Sequence, residues 1–92
     1  MDTISMEVKL REKLRREAAE WIEKELEKRM EYAEAEILKQ ANVAMDAVGA
    51  GKAKKHVEKA MAYAEQEIRV ELDNYSRVWI EEEVKKRLKM DL

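Results

Sequence analysis

The 92-residue sequence has no cysteine, no proline, no phenylalanine and only two glycines. Without cysteine there is no disulfide scaffold, no thiolate zinc site and no thiol nucleophile. The scarcity of proline and glycine excludes folds that reverse direction often, since these residues punctuate such chains. No apolar run approaches the ~18 residues that a membrane span requires, and the first residues form no signal-peptide-like apolar region. The expectation is one small domain, soluble and cytoplasmic, with no room for two separate cores.

What fills the chain instead is charge and helix-forming residues. Charged residues make up 43%, with 19 basic against 21 acidic and a net charge of −2. Ala, Glu, Lys, Arg, Leu and Met dominate, and these are the best helix formers. The one strong interruption is Gly49-Ala50-Gly51, near the middle. Asp2, Thr3 and Ser5 offer capping oxygens ahead of the first long stretch. The pattern predicts a helix over about 5–48, a glycine turn at 49–51 and a second helix over about 52–89. The run Asp73-Asn74-Tyr75-Ser76 contains modest helix formers, but the apolar phase across it keeps the second helix intact.

Apolar spacing gives the arrangement of the two helices. Ile22, Leu26, Met30, Ala33, Ile37, Ala41, Ala44 and Val48 follow one another at steps of four and three. Ala53, Val57, Met61, Ala64, Ile68, Leu72, Tyr75 and Trp79 repeat the same steps. Both are eleven-residue repeats, ~3.67 residues per turn, close to the period of a straight helix. Beyond them the steps become all fours, as in Leu10, Leu14, Ala18, Ile22 and in Ile80, Val84, Leu88, Leu92. Folding at the glycines sets Val48 by Ala53, Ile37 by Ala64 and Ile22 by Trp79. The fold expected is all-α: a long antiparallel helical hairpin. Trp21-Ile22 should face Trp79-Ile80, with the aromatic residues in core and core-edge positions.

A lone hairpin buries one stripe per helix. Ala35, Leu38, Val43 and Met45 lie off the first stripe, and Tyr63, Val70, Val78 and Ile80 lie off the second. A second copy would cover this surface and give a homodimeric four-helix bundle. Its self-association core would comprise Ile22, Leu26, Met30, Ile37, Val48, Val57, Met61, Ile68, Leu72 and Trp79.

Charge is unevenly spread. Residues 1–16 carry +2, 17–36 carry −5, 37–57 carry +3, 58–83 carry −5 and 84–92 carry +3. Folded in half, the hairpin is basic at both ends and acidic in the middle. Lys52, Lys54, Lys55, His56 and Lys59 crowd the start of the second helix, where negative charge is favoured. These residues are candidates for an anion or nucleic-acid phosphate, or for the acidic middle of a partner hairpin. Abundant charge without cysteine also suits a heat-adapted protein, and the narrow alphabet suits a designed one.

Catalytic patterns are missing. Gly49-Ala50-Gly51-Lys52 lacks the glycine spacing and the Ser/Thr of a phosphate loop. His56 is the only histidine, so no Glu-x-x-His pair can build a carboxylate-bridged metal site. No catalytic residue, metal, cofactor or small-molecule substrate is predicted. Two readings remain: a non-enzymatic scaffold or assembly module that self-associates, and a nucleic-acid-binding protein using its basic turn and chain ends. Replacing Ile37 by Glu should abolish helical circular dichroism and self-association together, because a charge would enter the seam. Unchanged helicity and mass would show the stripe to be misassigned.

Overall fold

The computed structural model describes residues 3–88. It consists of two helices, α1 (Thr3–Val48) and α2 (Ala50–Leu88), folded into one antiparallel hairpin. There is no strand among the described residues. The hairpin measures 66 × 19 × 16 Å, and a 46-residue helix at ~1.5 Å per residue accounts for the long dimension. None of the described helices is long and apolar enough to cross a membrane.

The turn is a single residue, tighter than the three expected. Gly49 has φ +84°, a conformation in which an ordinary side chain would press against its own carbonyl. Its amide donates to the Met45 carbonyl at 2.9 Å, closing α1, and its carbonyl accepts from the Ala53 amide at 3.1 Å, opening α2. One glycine therefore ends one helix and starts the next. Gly51 needs no such freedom, and it lies inside the first turn of α2. Val48, expected on the seam, is 47% exposed, because the one-residue turn sets beside it only the small Ala50 and Gly51 at the start of α2.

The seam follows the expected stripe from the turn to Leu72 and then departs from it. Beyond Leu72 the buried residues are Ser76, Ile80 and Val84, all in steps of four. Tyr75, expected on the stripe, is 70% exposed. Ile80, expected off it, is buried. The reason is on α1, where the facing stretch Leu10, Leu14, Ala18 also runs in fours. Two stripes drifting at the same rate stay in register, and they close a cluster of Leu14, Ala18, Ile80 and Val84 flanked by Leu10, Trp79 and Leu88. Ser76 is tolerated inside because its hydroxyl donates to the Asp73 carbonyl at 2.8 Å. Near the turn the buried positions are the small Ala41 and Ala53, and the largest wholly buried side chains, Leu14, Leu72 and Val84, lie far from it.

The two glycines should respond oppositely to alanine. A Cβ at either position meets no atom within 4 Å, so only backbone terms count. Gly49→Ala should destabilise the hairpin by ~1–2 kcal/mol through left-handed strain. Gly51→Ala should stabilise it by ~0.4–1 kcal/mol, chiefly by reducing the conformational freedom of the unfolded chain. Thermal melts followed by circular dichroism read both signs.

Candidate functional site: the aromatic face

Each helix advances ~100° per residue. A residue one position before a seam residue is therefore rotated to one flank, and a residue one position after it to the other. In an antiparallel pair of right-handed helices, the same sense of rotation carries both helices' side chains to the same broad face. The cross-helix contacts obey this rule. Arg11 and Glu81, which follow Leu10 and Ile80, form an ion pair. Glu23 and Arg69, which follow Ile22 and Ile68, pair at 2.7 Å. Arg29 and Glu71, which precede Met30 and Leu72, pair at 3.3 Å on the other face.

Both tryptophans and all three tyrosines lie on that second face. Trp21, Tyr32, Tyr63, Tyr75 and Trp79 immediately precede the seam residues Ile22, Ala33, Ala64, Ser76 and Ile80. Val43 precedes Ala44 in the same way. Tyr32 is 82% exposed and Tyr63 65%, so these rings are a surface feature and not the core edge expected from their periodicity. Trp21 and Tyr75 meet across the hairpin with ring centroids 6.1 Å apart and planes inclined at 34°. With Trp79, Ala18, Ser76 and Glu17 they line a cavity of about 450 Å³. The facing of Trp21 and Trp79 is thus realised around a cavity, with Tyr75 making the ring contact. The small residues Ala18 and Ser76 form its floor and leave the space open.

The opposite face carries most of the ion pairs, with the exposed Leu38 and Met45 nearer the turn. Besides its cross-helix pairs it holds Arg69 with Glu65 and Arg77 with Asp73 along α2. Arg69 holds the Glu23 carboxyl below its ordinary range, chiefly through its hydrogen bond and then through its charge. Arg11 does the same to Glu81. On the aromatic side, the Tyr63 hydroxyl donates to Glu67, whose carboxylate pushes the phenol above its usual value.

The basic cluster is dispersed by the helix. Lys52, Lys54, Lys55, His56 and Lys59 are all exposed near the turn. Lys52 and His56 precede seam residues and point to the aromatic face, Lys54 follows one, and Lys55 and Lys59 lie on the outer side of α2. Every ion pair among the described residues uses arginine, so these lysines have no carboxylate partner within the hairpin. No group of three His, Cys, Asp or Glu side chains is arranged to hold a metal among the described residues. Of the proposed self-association core, Leu26 and Leu72 are buried between the two helices of one hairpin. Ile22, Met30, Ile37, Val57, Met61 and Ile68 are half-buried along the same seam, and Trp79 is half-buried beside it on the aromatic face.

The sequence shows the aromatic face for Trp21, Tyr32 and Tyr63 as an offset of one place from a stripe residue, whereas Tyr75 and Trp79 stand on the expected stripe and only the structure turns them to this face. Apolarity alone conceals it, because a tyrosine beside an alanine resembles a wide stripe.

The depressed carboxyls predict an acid response. Groups held below their unfolded value stabilise the fold above that value and lose the effect as pH falls through the folded one. Carbon-detected NMR titration should find Glu23 and Glu81 titrating below the usual carboxylate range. Arg69→Gln should return Glu23 to the ordinary range and leave Glu81 in place.

The chain matches no protein-family model, and comparison with curated proteins and with solved structures returns no match.

Proposed function

We propose that this protein is a structural module that self-associates, two hairpins packing aromatic face to aromatic face as a four-helix bundle. The observation that carries this reading is the placement of all the aromatic residues on one exposed face. Aromatic side chains are the commonest anchors of protein interfaces.

Surface area supports it. The hairpin exposes 7551 Å², whereas a compact monomer of 10.9 kDa would expose ~5,600 Å². The excess of about 2,000 Å² is more than the ~800 Å² that each partner contributes to an interface of standard size. A two-layer hairpin has no further element with which to cover this surface. A twofold dimer does so without any other component. In the cell such a bundle serves as a scaffold or assembly part.

In the competing reading, nucleic-acid binding by the basic turn and the basic chain ends, the turn lysines lack stacking aromatics beside them. Tyr75, Trp21 and Trp79 lie ~35–45 Å along the hairpin from the turn.

Sedimentation equilibrium at micromolar concentration should give twice the 10.9 kDa chain mass. Because Tyr32 and Tyr63 are exposed within the hairpin, Tyr32→Glu with Tyr63→Glu should give a monomer that keeps its helical circular dichroism. A wild-type monomer under these conditions would overturn the proposal. Retention of a duplex or single strand on a filter at ~50 mM salt, lost at higher salt, would favour the nucleic-acid reading instead.

A further inference from the structure

The aromatic cavity and one of the unpaired lysines, Lys52, lie on the same face but at opposite parts of it. The cavity presents two indoles, a phenol and the Glu17 carboxylate. Aromatic π faces and a carboxylate together recognise an alkylammonium cation. Lys52 is such a cation, is exposed and points to the same face near the turn. It cannot reach the cavity of its own hairpin, from which ~40 Å of helix separates it. Resting on the self-association proposed above, we infer that the two hairpins pack antiparallel and staggered, and that Lys52 of each copy enters the Trp21–Tyr75–Trp79 cavity of the other.

The positions along the helices support this register. Measured from the turn residue Gly49 at ~1.5 Å per residue, Lys52 lies at ~4 Å, Val43 at ~9 Å, Tyr63 at ~21 Å, Tyr32 at ~26 Å, Tyr75 at ~39 Å, Trp21 at ~42 Å and Trp79 at ~45 Å. In an antiparallel dimer, two residues are level when their distances from their own turns add to the overlap. An overlap of ~47 Å brings Lys52 level with the partner copy's two indoles. The same overlap brings Val43 level with the other copy's Tyr75, and Tyr63 level with the other copy's Tyr32. Three pairings thus agree on one register. Across a 19 Å wide hairpin, it covers roughly 900 Å² of each copy, close to what a stable interface uses.

Charge favours the same arrangement. Parallel hairpins in register would stack the basic turn on the basic turn and the two acidic stretches, 17–36 and 58–83, on each other. The staggered antiparallel form sets each turn, +3 over residues 37–57, against the acidic middle of its partner. It also gives positive charge at the start of α2, unfavourable to the helix itself, a counter-charge.

The absence of native cysteine makes the register directly testable. The full-length single variants Lys52→Cys and Glu17→Cys are mixed and treated with a short bis-maleimide cross-linker. The expected product is a covalent dimer in the mixture and none from either variant alone. Lys52→Glu should weaken dimerisation by roughly a hundredfold, about tenfold for each of two symmetric sites. Adding Glu17→Lys to it should restore much of the loss. Cross-linking of either single variant with itself, or an unaffected Lys52→Glu dimer, would overturn the staggered register while leaving self-association standing. A wild-type chain that is monomeric throughout would overturn both.

Discussion

Everything in this hairpin depends on one antiparallel seam about one residue wide on each helix. Two helices in contact can bury only the side chains that point between them, so most of each helix surface stays in water. Nine described residues are buried, and Ser76 is the only polar one among them. The rest of the chain is arranged around this limit. The helices are long because a narrow seam must be long to bury enough, and the turn is short because nothing else holds the ends in register.

The seam also makes the molecule two-sided. One residue after a seam position stand Arg11, Glu23, Arg69 and Glu81, which tie the helices together by ion pairs over a face otherwise open to solvent. One residue before it stand the aromatic rings. Exposed ion pairs tolerate water, whereas a band of indoles and phenols gains by leaving it. The division is between a face tied mainly by ion pairs and a face that gathers the aromatic rings, and the second is the basis of the proposed dimer.

The basic turn shows the same separation of roles. Gly49 alone makes the reversal by combining a closing and an opening hydrogen bond. The lysines beyond it take no part in that geometry and find no carboxylate inside the hairpin. Their placement disfavours the helix they start, so their use is to be sought outside it. The proposed register supplies one, in a cavity whose floor of Ala18 and Ser76 leaves room for an incoming side chain.

The sequence by itself determined the helices, their antiparallel pairing and the place of the turn. Helix propensity, eleven-residue spacing and a lone pair of glycines are local signals, and residues within a few positions of each other decide them. Only the tertiary structure decided which residues share a face. That choice depends on how two helices are rotated about their own axes, and a rotation of ~100°, one residue, moves a side chain from one broad face toward the seam. Tyr75 and Ser76 show this directly: periodicity within α2 favoured the tyrosine, but the step-of-four drift of Leu10, Leu14 and Ala18 on α1 drew the serine inward. The dispersal of Lys52, Lys54, Lys55, His56 and Lys59 has the same cause, since neighbours in sequence are spread around a helix. The gathering of the five aromatic side chains is its converse, because residues far apart in sequence reach one face when each stands at the same angle to a common seam.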